Sequence, residues 1–507
     1  MSEPTTSNGG PDERHVGRRS VLRGAATLGI GTISARGVYG VLGDIVRPTP
    51  AQAATTTVRR LQEQYLIQQL EVIVDNGQTV VIPPIFNDVF TARLKSTTSW
   101  TTAALKAAKT RVENALVKVE SPYPDTAAGL TIVVGWGLPY FQEVIGSSLS
   151  DKYLPWVPAA GTTPRRPAVI EAEKFPSDPA GVVIEKNHVM FKFRSDSQTI
   201  LQKVESQLFE DQNSGAYIGD LFDLTSKRMG FAGRGFTKES IARTLGVERG
   251  ALGAGSIPPM AQLSMGFTST QTQALGPGNL PSFETLRGAT DQWPAGYFAA
   301  GCAMHLSHMY LDLPKWYGAD PSATFPDRVS AMFSPRATAT DGALTIPNGP
   351  KEVSTRTAIE SDATSTTNKV KAGHNSLLQQ ATRLAGDTID NYGRLQKKGT
   401  AIPIREDFNT LDDPFAWLPG DKALRAGTKP GLHFVAFVPS HLAFQRARYA
   451  MDGCNPDGTP FTMADGRPFP VTGRAAGIND IMTATHRQNY VIPPRKNRSF
   501  PLAELRT

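Results

Sequence analysis

Alternating apolar runs followed by helical periodicity recur in both halves of this chain, and that recurrence limits the fold more than any other feature. Gly129–Gly137, "GLTIVVGWG", leads into "LPYFQEVI". His188–Asp196, "HVMFKFRSD", sets Val189, Phe191 and Phe193 on one strand face. In "SQTILQKVESQLFED", which follows, Ile200, Val204 and Leu208 recur every four residues. In the second half, Gly296–Leu313, "GYFAAGCAMHLSHMYLDL", is long enough for a strand crossing a whole sheet, and "GLHFVAFVP" (Gly431–Pro439) leads into "SHLAFQRARYAM". These units predict an α+β protein made of two similar halves.

Two stretches read as surface insertions. Tyr153–Gly181 carries six prolines, which resist regular structure. Ala319–Asn368 is rich in Thr, Ser, Ala and Pro and reads as a long exposed loop.

The N-terminus has the order of an export signal. Arg18 and Arg19 precede Ser20-Val21-Leu22-Arg23 and a mildly apolar run rich in Gly and Ala, too short and too Gly-rich to span a bilayer. Ala51-Gln52-Ala53 offers a small-x-small cleavage pattern, so residues 1–53 are expected to be a twin-arginine signal peptide and the mature protein to be exported, to a periplasm or the medium. The partner implied is the twin-arginine machinery, which carries folded proteins.

Composition matters at three points. Lys plus Arg is 53 and Asp plus Glu 46; six and four of these lie in residues 1–53, leaving 47 minus 42, or +5, on the mature chain. That small scattered excess, with no nucleic-acid motif, argues against a nucleic-acid partner. No later run reaches transmembrane length, so no stable membrane anchor is expected. With two cysteines, Cys302 and Cys454, and neither CxxC nor Cys/His zinc spacing, a structural zinc site is not expected.

Several local patterns invite chemistry and do not sustain it. "CAMHLSHMY" places Cys302, His305 and His308 close together, but on a strand His305 and His308 point to opposite faces and cannot chelate one ion. The turns "GRGF" and "GPG" lack phosphate-loop spacing, and there is no GxSxG elbow. In "KAGHNSLLQQATRL" (Lys371–Leu384), Leu377, Leu378, Ala381 and Ala385 follow His374 at offsets of three, four, seven and eleven, so its imidazole shares their helical face. By spacing alone this is a packed histidine or the axial ligand of an apolar cofactor.

The order of segments from Met265 onward decides between them. "MGF", "GYFAAGCAMHLSHMYLDLPKWY", "AGHNSLLQQATRL", "RLQKKGTAIP" and "GLHFVAFVPSHLAFQRARYAM" follow one another, and the chain resembles the dye-decolourising peroxidases. Gly296-Tyr297-Phe298 with Leu313-Pro314-Lys315-Trp316 matches that family's strand and Leu-x-x-Trp step, and Gly431–Phe437 matches its final strand. The specific part of the resemblance lies between about 261 and 451; the N-terminal half matches in pattern only.

The resemblance implies duplicated ferredoxin-like domains of the dimeric α/β-barrel type, divided at 54–260 and 261–507, with haem b held by the C-terminal half. His374 falls on the proximal, iron-ligating position, where a neutral ring nitrogen suits iron and Asp387 and Asp390 lie nearby in sequence. Gly266, Phe267 and Phe437 are implied on the cofactor. Where the family has a distal acid that moves a proton between peroxide oxygens, this chain has Ser269, which hydrogen-bonds but has no useful pKa as a proton acceptor. The distal cation is Arg394 by interval, or Lys397 or Lys398 by aligning "KKG" with the family's Arg-Arg-Gly. The expected activity is oxidation of small phenolic or dye-like compounds by hydrogen peroxide. The alternative is a non-catalytic haem or apolar-ligand binding protein on the same fold. Trp316 and Tyr317 are candidates for carrying oxidising equivalents to the surface, and a homo-oligomer stays open.

Overall fold

The structure is a computed structural model, describing residues 60–75, 78–232, 240–248, 250–257, 261–266, 280–319, 364, 377–378, 381–411 and 429–507. The first unit runs β1 (Phe86–Leu94), α1 (Thr102–Glu120), β2 (Thr131–Gly137), β3 (Val189–Ser195), α2 (Gln198–Glu205) and β4 (Phe222–Phe231). The second runs β5 (Cys302–Leu311), β6 (Phe408–Thr410, preceded by the short pair Ile404–Arg405), β7 (Gly431–Val438), α3 (His441–Met451) and β8 (Met482–Ile492).

Strand order shows the duplication. The first unit pairs β4–β1–β3–β2 and the second β8–β5–β7–β6, all antiparallel. Each is the fourth-first-third-second order of a βαββαβ ferredoxin-like unit. β6 joins β4 through Asn409 and Phe231, and β8 joins β2 through Tyr490–Gly137 and Val491–Trp136. Because β5 and β8 also pair, the two sheets close into one eight-stranded barrel. The expected class, α+β with duplicated ferredoxin-like units, is the class observed.

Alternation sorts the strand residues onto two faces. Phe90, Ile132, Val134, Phe191, Phe193, Ala303 and Val491 share a core with Leu105, Val112 and Leu116 of α1, so that face looks outward to the helices. Val89, Val133, Met190, Met304, Leu306, Val435, Phe437, Tyr490 and Ile492 form a separate cluster inside the barrel. Tyr65, Leu66 and Ile67, from the segment before β1, join the inner cluster. Gln64 holds that segment in place by accepting from the Val134 N–H at 2.9 Å and donating to the Pro493 carbonyl at 2.6 Å. Arg194, inside the barrel, donates to the Gln64 and Tyr65 carbonyls of the same segment.

Charges tie the chain ends to the first unit. Glu120, at the end of α1, accepts from Arg498 at 2.8 and 2.9 Å and from Arg495 at 2.8 Å. These guanidinium groups hold the buried Glu120 carboxyl down at about 2, against a desolvation that acts the other way.

The strand read over Gly296–Leu313 is shorter than expected. β5 begins at Cys302, because Gly296–Gly301 forms turns in which Phe298 donates to Gln292 and Gly301 to Phe298. The proline-rich insertion has the two-residue pairing of Trp156–Val157 with Arg166–Pro167 and an isolated bridge between Ala160 and Thr163. The expected loop at 319–368 lies outside the described residues apart from Ala319 and Thr364. Among the described residues no helix is long and apolar enough to cross a membrane.

Candidate functional site

His374 lies outside the described residues, but the segment that follows it does not. Leu377, Leu378, Ala381 and Thr382 are helical, and Thr382 Oγ1 donates to the Leu378 carbonyl one turn back. Leu377 is 4% exposed, in a cluster with Met463, Phe469, Val471 and Ala476. The helix ends there: Arg383 bridges Ala401, and Ala385, expected on the same stripe, is exposed. Leu377, three residues after His374 in sequence, therefore faces inward onto apolar residues.

Phe267 and Ser269 also lie outside the described residues, and the described chain stops at Gly266, whose φ is +89°. Its lead-in is firmly held. Asn409 Oδ1 accepts from Ser264 N at 2.8 Å, and Asn409 Nδ2 donates to the Gln262 carbonyl at 3.1 Å. Trp316 Nε1 donates to the Met265 carbonyl and Tyr317 Oη to the Ser264 carbonyl, at 2.8 and 2.7 Å. Trp316 is fully buried and clamps this segment.

Arg394 sits in a hairpin formed by Thr388–Ile389 and Leu395–Gln396. Its Nε donates to Asp390 Oδ2 at 2.8 Å, and its side chain remains 40% exposed. Asp390 also accepts from the backbone N–H groups of Tyr392 and Arg394 and from Gln396 Nε2, which keeps its carboxyl below the usual range despite burial. Asp387 accepts from Lys398 N at 2.7 Å, while the Lys397 and Lys398 side chains are exposed. Asn391 donates to Thr285, beside Ser282, which bridges Cys302 at the start of β5; the Gly266 lead-in is fixed to Trp316, beyond Leu311 at its end. Ten strand residues, about 30 Å, separate those ends, so Arg394 and Gly266 are not brought together. Phe437 points into the barrel and stacks on Tyr65, with ring centroids 5.3 Å apart.

The densest chemistry among the described residues is inside the barrel. Lys192 and Arg194 on β3 are fully buried and share Glu406, at 3.1 and 3.0 Å. Arg228 on β4 pairs with Glu185. Burial brings the Lys192 ammonium down to about 8, opposed by Glu406. His308 on β5 lies directly opposite His433 on β7 and His486 on β8, a row of three histidines in register across adjacent strands. The rings of His308 and His433 are 4.9 Å apart, and Phe408 covers His433 at 4.8 Å. Desolvation pushes both imidazoles well below their ordinary value, so they are neutral at pH 7.

His305 faces the other way, as the strand period requires. Its ring stacks on Phe444 of α3 at 3.8 Å, and Nδ1 pairs with Asn489 Oδ1 at 2.8 Å. Among the described residues no group of three or more His, Cys, Asp or Glu side chains is placed to hold a metal ion, and Cys302 and Cys454 are both free and buried. His433 is the residue the sequence reading passed over. The signal was there, since it alternates with the inward Val435 and Phe437.

Residues 92–494 match the model of a family of unknown function (DUF7405). The chain belongs to that family. None of the curated proteins matches this DUF7405 member in sequence. Among solved structures, it is similar to the encapsulated DyP-type peroxidase from Mycobacterium smegmatis, at 14% identity and a TM-score of 0.43, over 82% of this chain and 95% of that one. It is also similar to DyPB from Rhodococcus jostii, at 11% identity and a TM-score of 0.43, over 83% and 96%. A third is a dye-decolorizing peroxidase from Bacteroides thetaiotaomicron, at 10% and 0.43, over 82% and 95%. The duplicated topology of this DUF7405 chain stands on its own strand pairing.

Proposed function

We propose that this protein is a haem-dependent oxidoreductase of the peroxidase type, exported through a twin-arginine signal that ends at Ala53, with His374 as the axial ligand. The observation that carries the reading is the burial of Leu377. It lies three residues beyond His374 in sequence, on the connection between β5 and β6, and it faces apolar residues. A histidine on that face meets the requirement of a haem ligand: a neutral nitrogen in apolar surroundings.

Haem held there would supply the oxidising chemistry, with hydrogen peroxide as oxidant and a small phenolic or dye-like compound as reductant. The chain's own part is to hold His374 neutral and to offer hydrogen bonds at Ser269. A serine hydroxyl orients peroxide but is a poor base, so proton movement between the peroxide oxygens is expected to be slow. Arg394, tied to Asp390 at the surface, takes no part in that step in its described position.

That same tie favours a second reading, a haem or apolar-ligand binding protein without peroxidase turnover. Titrating the exported protein with haem and then adding peroxide and a phenol separates the two. A Soret band with phenol oxidation supports the peroxidase, and a band without oxidation supports the binding protein. Absence of any band defeats both.

A further inference from the structure

The hairpin that carries Arg394 is built inside out. Ile389 stands opposite Leu395 in its ladder, and these two side chains are 54 and 55% exposed. Their neighbours Asp390 and Gln396 point the other way and are buried. A ladder with one wet face ordinarily shows polar residues to solvent and apolar ones to the interior. Here the polar residues are inside and the apolar pair is outside. Tyr392, in the turn, is 51% exposed as well, so three of the large apolar side chains exposed among the described residues fall within this one hairpin.

The exposed face is also held rigid. Asp390 ties the turn from within, through the backbone N–H groups of Tyr392 and Arg394 and the side chains of Arg394 and Gln396. Asn391 N donates to the Thr285 carbonyl at 3.1 Å, which fixes the turn to the body of the protein. Tyr392 Oη donates to Glu63 at 2.9 Å, and the Arg394 guanidinium lies 4.7 Å from the centre of the Tyr392 ring. A face ordered in advance loses little conformational freedom when it is covered, and exposed apolar clusters rimmed by polar groups mark interaction surfaces.

Charge distinguishes the occupants. At the base of the hairpin Lys397 and Lys398 are exposed, Arg383 donates to the Gly399 carbonyl, and Asp387 is the carboxylate beside them. At the tip Tyr392 is shared by Glu63 and Glu284, with Lys496 near Glu284. The base is therefore basic and the tip acidic. An anionic membrane or a nucleic acid would meet two carboxylates beside the apolar residues, which disfavours both. A polar patch of this kind is complementary to itself when turned end for end.

We propose that Ile389, Tyr392 and Leu395 dock on the same face of a second copy of this chain, about a twofold axis that sets the two hairpins antiparallel. The apolar residues then cover one another, and the basic base of each hairpin lies over the acidic tip of the other. So small a patch falls short of the roughly 800 Å² per partner of a standard interface, so the contact is weak and reversible.

Sedimentation equilibrium of the full chain at about pH 8, from about 1 µM to about 1 mM, should show monomer and dimer in exchange. Leu395→Asp should weaken the association by about tenfold or more without lowering the melting temperature, since the side chain is exposed. Lys397→Glu and Glu63→Lys should each weaken it too. An equimolar mixture of those two variants should associate better than either alone, because the mixed dimer pairs opposite charges at both ends. A parent that stays monomeric, a dimer that Leu395→Asp leaves intact, or a mixture no stronger than its components would overturn the proposal. So would a monomeric parent that sediments with phosphatidylcholine–phosphatidylglycerol vesicles, which would assign the face to lipid. If Leu395→Asp is unstable, the charge-swapped mixture decides. All of these readouts are independent of haem content.

Discussion

His308 and His433 face each other in register across β5 and β7, buried and neutral, with ring centroids 4.9 Å apart. Neutral imidazoles at such positions make the fold sensitive to acid, because protonation would place more charge among Arg228 and Lys192.

Stability is therefore expected to fall on acidification from pH 7 to 4.5. His305, His308 and His433 have folded values well below 6.5, and His441 is lowered to about 4. A lowered folded value gives stability that is complete above about 6.5 and is lost as pH falls toward the folded value. For His441 alone this is on the order of 3 kcal/mol. Asp407, raised to about 6, acts with the opposite sign between about 4 and 6, but it is one group against four. Urea midpoints at pH 7.5, 6 and 4.5 should decline steadily. A flat profile would count against buried neutral histidines.

Glu120→Gln should destabilise by roughly 3–5 kcal/mol, since it leaves Arg498 buried with its nearest carboxylate gone. The same change should release Pro493–Thr507 to limited proteolysis while the barrel strands stay protected. Equal melting temperatures for parent and variant would contradict the assignment of this cluster as the tie between chain ends and α1.

Asp390 and Arg394 should behave unequally. Arg394→Ala removes a half-exposed ion pair and should cost less than about 1 kcal/mol. Asp390→Ala removes four hydrogen bonds from inside the hairpin and should cost roughly 2–3 kcal/mol. Comparing the two melting temperatures checks this, and a larger loss for Arg394→Ala would reverse the reading.

Trp316→Phe keeps most of the buried ring but removes the bond to the Met265 carbonyl, at a cost of about 1 kcal/mol. Hydrogen exchange should rise at residues 261–266 and not in β5. Unchanged exchange there would show that Asn409 and Tyr317 hold the segment without that bond.

The sequence made some elements legible and hid others for physical reasons. β2, β3 and β7 alternate cleanly because their outward faces meet helices, so period two survives in the composition. β8 carries His486, Gln488, Arg487 and Asn489, polar on both faces, because it faces the barrel's polar interior on one side and Glu173, Asp178 and Ile170 on the other. Its pattern resembles a loop. The strand-led reading also passes over α1, although Leu105, Ala108, Val112, Ala115, Leu116 and Val119 are spaced at three and four. Opposite faces for His305 and His308 follow from the strand period alone. That His433 stands across from His308 does not, because register between strands distant in sequence is fixed by the closed barrel. The interval between His374 and Arg394 gives no side-chain direction; Asp390, four residues before Arg394, pairs with it.

The most direct test of the central claim is the visible spectrum of His374→Gly loaded with haem, recorded without and with free imidazole, beside the parent. The account predicts a Soret band in the parent, its loss in the variant and its return when imidazole is supplied. A band in the variant without imidazole, or none in the parent, would contradict it.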